Sequence, residues 1–283
     1  MSEYFRSERI GKPGFWDVEQ LPWYAKIAIF TFQFVPHDFE ELFDWKREEF
    51  VRHGNVFWGY CSGRASKIGN VLNMERGEGF SAVILAAGLS ERMGVPKLSL
   101  RYQGGVSFAA HCVSGFLDSG CRQVALVVNE EGFHWMATHV ADFPAEVRVV
   151  INSFPEFGRL YSLEQGLLSL DELLPAFLHN VDNPFVSPVV LQALKTAYSE
   201  IIPGGQGPEA DHYFSPVFDG RGGHPVLISP GVVKAILKKG THPTSLKAFL
   251  SGFPRLRVPV TDPHVLVNIN TMEDYQCAGL PLQ

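Results

Sequence analysis

The sequence contains few cysteines and no long apolar run, and both absences narrow the class of protein. Its four cysteines are widely separated and form no Cys-x-x-Cys pair, so they indicate reduced thiols rather than a disulfide framework or a zinc site. The most apolar early stretch, residues 23–34, is too short for a membrane helix and contains Lys26 and Gln33. Residues 1–15 lack the apolar centre of a signal peptide. We therefore expect a cytoplasmic protein without a membrane segment.

Positive charge is also scarce. The 24 Lys and Arg residues are outnumbered by 30 Asp and Glu residues, for a net charge of −6. This balance argues against a protein that binds nucleic acid or an anionic membrane through a broad basic face. Apolar residues make up 46% of the 283 residues and charged residues 19%, which favours a substantial core over global disorder. The length fits one large domain, or one domain with an appendage.

From residue 80 onward, short apolar runs alternate with amphipathic stretches. The runs are rich in Val and Ile and are continuous, as expected for strands buried on both faces. They are residues 80–87, 123–129, 147–152 and 176–181. Their alternation with helix-like segments predicts an α/β fold with a mainly parallel sheet covered by helices. A last strand is predicted at residues 265–270, followed by a helix capped by Thr271.

Residues 1–78 differ from the rest of the chain. They are rich in aromatic residues and contain four of the five tryptophans. Residues 37–54 have the apolar spacing of an amphipathic helix. We interpret residues 1–78 as an extension that packs on a main domain of residues 79–283. An independent binding module is the alternative, although so short a segment forms only a thin core.

The first strand of the main domain ends in a glycine and is followed by two cations. In "LAAGLSERMGVPK", residues 85–97, small residues allow the backbone to approach a phosphate at the carboxyl end of the strand, where open α/β sheets bind ligands. The stretch matches neither GxGxxG nor GxxxxGK[ST]. Arg92 offers a planar fork and Lys97 a mobile charge. The pair suits phosphoryl or nucleotidyl transfer, whereas either cation alone would be read as an ordinary solvated charge.

A carboxylate follows the fourth apolar run. Asp182 ends that strand, so we expect it at the same edge of the sheet as the loop with the two cations. A carboxylate in this position can hold Mg²⁺ with several of its waters retained. The alternative is a helix N-cap, but Ser187, directly before Pro188, is better placed to cap the next helix.

Residues 85–97 resemble the LAAGxSxRMGxxK signature of the molybdenum cofactor nucleotidyltransferases, and most closely that of the cytidylyltransferases among them. Four further segments resemble motifs of this family in order along the chain. They are "GRLYSLEQGL" (158–167), "VDNPFVSP" (181–188), "GRGGHPVLIS" (220–229) and "VNINTMEDY" (267–275). The resemblance covers roughly residues 80–279. It implies a Rossmann-like, three-layer nucleotidyltransferase fold and Mg²⁺-dependent transfer from an NTP to a phosphate monoester, with release of pyrophosphate.

The resemblance also implies roles for single residues. The residues expected at the nucleotide are Leu85, Ala86, Ala87, Gly88, Ser90, Arg92, Lys97 and Ser162. Those expected to be catalytic are Arg92, Lys97 and Asp182, with Asp182, Asn270 and Asn268 at the metal. Gly158 and His224 are expected at the acceptor. Two alternatives stay open, since Ser162 can be a helix-start residue only and His224 can belong to a plain hairpin turn.

Two motifs give opposite indications about the nucleotide. The chain carries LAAG, the form of the cytidylyl members of the family, and the methyl group of Ala87 narrows the space for a purine. Its closing segment reads NINT, with Asn268 and Asn270, where cytidylyl members usually read DIDT and where the guanylyl branch and some sugar-phosphate nucleotidyltransferases carry asparagine. We favour CTP and keep GTP as the alternative.

The resemblance further implies a molybdopterin-type phosphate as the acceptor. The alternatives are the same chemistry on a phosphosugar or phosphoalcohol, and a non-catalytic protein that binds a nucleotide or cofactor. The joint presence of Arg92, Lys97 and Asp182 weighs against the last of these. The extension could cover the acceptor pocket, mediate oligomerisation, or dock a molybdoenzyme or chaperone. No nucleic acid or membrane partner is expected.

Overall fold

The described part of the chain forms one mixed sheet of ten strands flanked by helices. The structure, a computed structural model, describes residues 50–53, 56–59, 79–90, 92–202, 211–239 and 245–280, the first two ranges by their backbone only. The strands are β1 (Phe50–His53), β2 (Val56–Gly59), β3 (Phe80–Ala86), β4 (Cys121–Val128), β5 (Val147–Ile151), β6 (Ala176–Asn180), β7 (Tyr213–Phe218), β8 (Arg221–Gly222), β9 (Val226–Ile228) and β10 (Arg255–Pro259). The α-helices are α1 (Phe108–Asp118), α2 (Glu130–Ala137), α3 (Gly158–Ser169), α4 (Pro188–Ile201), α5 (Pro230–Lys239), α6 (Leu246–Leu250) and α7 (Met272–Cys277).

The strand order places β3 near the middle of the sheet. The order is β1-β2-β5-β4-β3-β6-β9-β7-β10, with β8 paired to β7. Strands β2, β5, β4, β3 and β6 run parallel to one another. Strand β9 is antiparallel to both β6 and β7, and β10 is parallel to β7. This arrangement confirms the expected α/β fold. It places the loops after β3, β4, β5 and β6 at one edge of the sheet.

Both faces of the central strands are buried, which explains their continuous apolar sequences. Ile84 and its neighbour Val83 are both fully buried, but they belong to separate hydrophobic cores. The Ile84 core includes residues of α1, α4 and α7, and the Val83 core includes residues of α3, α5 and α6. A strand covered on both sides in this way is typical of a parallel sheet.

Helix α3 approaches the sheet closely at Gly166. A Cβ atom at this position would lie 2.4 Å from Val83 Cγ1 and 2.9 Å from Val127 Cγ2. Replacing a helical glycine by alanine normally stabilises the helix by about 1 kcal/mol. Here the added methyl group would push the helix away from two fully buried valines. We expect Gly166→Ala to lower the free energy of unfolding by about 1–3 kcal/mol. Urea denaturation measures this, and a variant as stable as the wild type would contradict the close approach.

One local prediction was wrong, one was right in position only, and one lies mostly outside the described residues. Residues 265–270 form no strand: Pro263–Leu266 is a 3-10 turn, and Val265 and Ile269 enter the core from a loop. The strand in this region is β10, whose mostly exposed residues lack the apolar run of a buried strand. Ser187 occupies the N-cap position of α4 but makes no capping hydrogen bond through its side chain. Residues 37–49 of the helix predicted at 37–54 lie outside the described residues. Residues 50–53 form strand β1 and no helix.

A hairpin from the N-terminal region extends the sheet. Strands β1 and β2 pair antiparallel, and β2 pairs parallel with β5 through Phe57 opposite Arg148, Trp58 opposite Val149 and Gly59 opposite Val150. The rest of residues 1–78 lies outside the described residues, so the role of the extension stays a prediction. Cys112 and Cys121 are buried free thiols and Cys277 is an exposed one. No helix of the described residues is long and apolar enough to cross a bilayer.

Candidate active site

The loop after β3 folds around Ser90. This residue has a positive φ of 53°, which is uncommon for a residue with a side chain. Its carbonyl accepts hydrogen bonds from the amides of Met93 and Gly94, and its hydroxyl accepts one from the amide of Lys97 at 3.1 Å. Gly88 stays exposed at the carboxyl end of β3. These hydrogen bonds within the loop hold its conformation, and backbone N–H groups in such turns can bind an anion.

The structure brings Lys97, Asp182 and Asn270 together. Lys97 Nζ donates to Asn270 Oδ1 at 2.7 Å and lies 3.7 Å from Asp182 Oδ2. The segments that carry the two oxygens are joined directly, because the amide of Ile269 donates to the carbonyl of Asp182 at 2.6 Å. The two asparagines of the NINT segment therefore differ, since Asn270 contacts Lys97 whereas Asn268 is exposed.

The charges around Lys97 act against one another. Burial lowers the pKa of Lys97; the Asp182 carboxylate raises it and the Arg92 guanidinium lowers it. Arg92 is exposed but close enough to affect the ammonium electrostatically. Lys97 and Asp182 thus lie together, and Arg92 is close enough to affect the charge of Lys97.

One oxygen of Asp182 is suited to a metal ion. Asp182 Oδ1 is buried and accepts no hydrogen bond from any residue that the structure describes, and a buried carboxylate oxygen without a partner is costly. Within the same residues, no group of three or more His, Cys, Asp or Glu side chains could hold a metal. The donor set of one carboxylate and one amide oxygen fits Mg²⁺, which commonly keeps several waters and completes its shell with substrate phosphates.

Asn270 is held in place by the start of helix α7. The amides of Asn270 and Thr271 both donate to Asp274 Oδ2 at 2.9 Å, and the Thr271 hydroxyl accepts from the amide of Asp274 at 3.1 Å. This capping box confirms Thr271 as the N-cap. The same bonds lower the pKa of Asp274. Asp274 was not among the candidate residues, although the Thr-x-x-Asp spacing in the sequence is a capping signal.

His224 lies beside the site with a free ring nitrogen. Its backbone amide donates to the carbonyl of Val265, and Asn180 Nδ2 donates to its Nε2 at 3.2 Å. The ring proton is therefore on Nδ1, which is buried and has no partner among the described residues. Burial lowers the pKa of His224; Asp182 raises it and Arg159 lowers it. His224 is thus neutral and within electrostatic reach of Asp182.

Gly223, the residue before His224, leaves no space for a side chain. A Cβ atom there would lie 2.1 Å from the carbonyl oxygen of Val265. The turn after β8 and the turn at Pro263–Leu266 are therefore packed backbone against backbone. The loop after β6 also binds the second of these turns, since the side-chain amide of Asn183 donates to the carbonyl of His264 at 3.1 Å.

Ser162 and Gly158 lie at the start of α3, near the carboxyl end of β5. Ser162 is buried, its hydroxyl accepts from Asn152 Nδ2 at 2.9 Å, and it lies 3.4 Å from the carbonyl oxygen of Gly158. This hydroxyl is already engaged by the protein, whereas Gly158 is exposed. The side chains of the other expected nucleotide residues in β3 and directly after it are buried. They are Leu85, Ala86 and Ala87.

His179, fully buried behind the site, predicts a pH effect on stability. Its Nε2 donates to the carbonyl of Asn183 at 2.6 Å, and burial together with His224 lowers its pKa to about 3. In the unfolded chain the pKa returns to about 6.5, so the unfolded state binds more protons between these values. The stability of the folded protein therefore falls as the pH drops below about 6.5.

We expect the variant His179→Gln, which keeps a donor for Asn183, to lose much of this pH dependence. Between pH 6 and pH 4 its free energy of unfolding should fall by about 2.5 kcal/mol less than that of the wild type. Urea denaturation at both pH values measures the difference, whatever the stability of the variant at pH 7. Parallel losses in the two proteins would show that His179 is not kept neutral.

Comparison with known proteins agrees with the fold and the motifs. A family model described as "MobA-like NTP transferase domain" matches residues 82–257. A nucleotidyl transferase from Methanothermobacter thermautotrophicus is 23% identical, with a TM-score of 0.56 over 71% of this chain and 96% of that one. Rv0371c from Mycobacterium tuberculosis, in complex with manganese, is 20% identical, with a TM-score of 0.51 over 70% of this chain and 97% of that one.

A third similar structure is the 2-C-methyl-D-erythritol 4-phosphate cytidylyltransferase of Francisella tularensis. It is 15% identical, with a TM-score of 0.51 over 71% of this chain and 99% of that one. At these identities the structures show that the fold is shared. A search of curated proteins gave no match.

Proposed function

We propose a reaction for this chain on the basis of its family: it belongs to the MobA-like NTP transferase family. The chain is a nucleotidyltransferase of this type, and we propose that it transfers CMP from CTP to a molybdopterin-type phosphate and releases pyrophosphate. The observation that carries the proposal is the meeting of Lys97, Asp182 and Asn270 beside the loop after β3. A cation, a carboxylate with an unpartnered oxygen and a backbone-fixed loop are the groups that nucleotidyl transfer requires.

The chemistry needs no general base. The acceptor phosphate is already anionic, so its oxygen can attack the α-phosphorus of the NTP in line with the leaving pyrophosphate. Arg92, Lys97 and the loop amides would hold the triphosphate and offset the charge that develops on the leaving group. Asp182 and Asn270 would hold Mg²⁺, which when bound supplies further charge neutralisation at the phosphates. Rv0371c, a protein of similar fold, was solved with manganese, so Mn²⁺ should be assayed beside Mg²⁺.

His224 is the proposed acceptor contact. Its Nδ1 carries a proton and has no partner among the described residues, so it can donate to an oxygen of the acceptor without being charged. Gly158, exposed at the start of α3, is proposed at the same side of the cleft because Arg159, its neighbour, lowers the pKa of His224. The roles of His224, Gly158 and the metal ligands are proposed residue by residue, in addition to the proposed reaction.

Ala87 is the proposed determinant of the nucleotide. It is buried directly after β3, and we propose that its methyl group narrows the space for a base. We expect Ala87→Gly to lower the ratio of kcat/KM for CTP to that for GTP by about 10-fold, the usual effect of one methyl group in a pocket. Pyrophosphate release with each nucleotide measures the ratio. An unchanged ratio would place the choice of base elsewhere.

The function as a whole is tested by pyrophosphate release from each of the four NTPs, with and without acceptor. We expect release with CTP and Mg²⁺ when molybdopterin is present, and none after chelation of the metal. Release with a sugar phosphate instead would change the acceptor and keep the chemistry. No release with any nucleotide and acceptor would favour a non-catalytic protein that binds nucleotide.

The N-terminal region is the remaining part of the proposal. We treat residues 1–78 as an extension and residues 79–283 as the transferase domain, which agrees with a family match that begins at residue 82. The proposed role of the extension is to dock the molybdoenzyme or chaperone that receives the product. Pull-down of such a partner by the full chain, but not by a chain without residues 1–49, would support this role.

A further inference from the structure

The ammonium group of Lys97 contacts both of the side chains that are proposed to hold a divalent ion. Its Nζ atom is 2.7 Å from Asn270 Oδ1 and 3.7 Å from Asp182 Oδ2. These two side chains are the ones that would hold the ion. An ion held by the unpartnered Asp182 Oδ1 and by Asn270 Oδ1 would lie close to this ammonium group, and two cations repel strongly in a partly buried site.

We propose that Lys97 is a resident cation that exchanges with the divalent ion. In the ion-free protein its ammonium group lies between Asp182 and Asn270, and it leaves both oxygens when the ion binds. The ammonium group then becomes available to the triphosphate that arrives with the ion. This inference rests on the metal site of the proposed function, and it goes beyond that function by giving Lys97 two positions and a different partner in each.

The bonds around Lys97 allow its side chain to move while its backbone stays. The Lys97 amide donates to Ser90 Oγ at 3.1 Å, so the loop is anchored independently of the ammonium group. The side chain is flexible, with four methylene groups between the backbone and the charge. Its distance of 3.7 Å from Asp182 is that of an ion pair without a short hydrogen bond, and such a pair holds a side chain weakly.

Asn270 is the residue that makes the exchange possible. Its amide oxygen accepts one hydrogen bond from Lys97 and carries no charge, so the ammonium group can be released without separating a close ion pair at this position. The backbone of Asn270 stays in place, because its backbone N–H donates to Asp274 Oδ2. Arg92 further disfavours the ammonium group where it now lies.

The first test measures Mn²⁺ binding to the nucleotide-free full chain by electron paramagnetic resonance. Lys97→Met removes the competing charge and nearly preserves the length of the side chain. We expect it to tighten Mn²⁺ binding by about 10-fold or more. Lys238→Met makes the same change in net charge at an exposed position of α5 and should change binding by less than about 2-fold. Asp182→Asn identifies the site, since the binding in question must be lost in this variant.

The second test uses the wild-type protein and is independent of any substitution. Lysine side chains are acetylated briefly with acetic anhydride, with and without Mn²⁺, and the modification of Lys97 is compared with that of Lys238 by peptide mass spectrometry. Release of Lys97 from its two partners should raise its relative rate of modification severalfold when Mn²⁺ is added. An unchanged or lower rate would overturn the exchange.

The outcomes separate the exchange from the proposed function. Neither measurement contains nucleotide or acceptor, so unchanged Mn²⁺ affinity in Lys97→Met overturns the exchange and leaves nucleotidyl transfer untouched. Mn²⁺ binding that survives in Asp182→Asn overturns the metal site and the exchange together. Normal exchange without pyrophosphate release in the enzyme assay would overturn the proposed function alone.

Discussion

Asp182→Asn should lower the rate of pyrophosphate release by about 10³-fold, because it removes the charge of the only carboxylate proposed for the metal. The substitution keeps the size of the side chain. It also keeps the bond that joins the two segments of the site, since the amide of Ile269 binds the backbone carbonyl of Asp182. The fold should therefore stay intact while catalysis is lost. Initial rates at saturating CTP and Mg²⁺ measure the effect.

The matched control for this variant is Asp142→Asn. Asp142 lies in an exposed 3-10 turn, Val140–Asp142, and its substitution changes the net charge equally. We expect turnover close to that of the wild type. Similar losses in the two variants would indicate a general effect of charge, and near-normal turnover in Asp182→Asn would refute the metal assignment. Thermal melting of both variants confirms that folded proteins are being compared.

Gly223→Ala should destabilise the protein by about 3 kcal/mol or more. The new methyl group would meet the carbonyl oxygen of Val265 at 2.1 Å and its carbonyl carbon at 2.6 Å. Backbone atoms cannot rotate away, so the two turns must separate. Their separation would break the hydrogen bond from the His224 amide to Val265, and we expect the remaining folded protein to have weakened acceptor binding. Urea denaturation and the KM for the acceptor measure the two effects.

The neighbouring glycine, Gly222, provides a control. A Cβ atom there would also be too close to another atom, but that atom belongs to a side chain and not to the backbone. A Cβ atom at Gly222 would lie 1.8 Å from Arg255 Nη2, which is the end of a long and flexible side chain. That side chain can move at the loss of its hydrogen bond to Ser215, so Gly222→Ala should cost about 1 kcal/mol. Equal losses of stability at the two positions would contradict the importance of the backbone contact at Gly223.

Much of the site could be predicted because parallel strands end at a common edge. Lys97 and Asp182 follow β3 and β6, which are neighbours in the sheet, and their apolar sequences already indicated buried strands. Asn270 is 173 residues from Lys97 along the chain, and only the resemblance pointed to it. His179 was missed because a buried histidine looks like any polar residue in a strand, and Asp274 was missed although its Thr-x-x-Asp spacing is a capping signal.

The wrong prediction at residues 265–270 has a related cause. Apolar residues in a sequence indicate burial, and burial does not require a strand, since Val265 and Ile269 reach the core from a loop. Strand β10 shows the converse, because it is a strand that is mostly not buried. It is a mostly exposed edge strand held by its parallel pairing with β7, so its backbone pairing leaves little trace in the residue types.

The hairpin of β1 and β2 lies outside the region matched by the family model, and it determines how far the chain can be shortened. A chain shortened to begin at residue 79 would contain the whole matched region, but it would lose the strand that pairs with β5. The peptide groups of β5 would then be open along their outer side, and an open strand of this kind recruits strands from other molecules. Expression of the transferase domain alone is therefore expected to yield aggregates, unless residues 50–59 are retained to close that side.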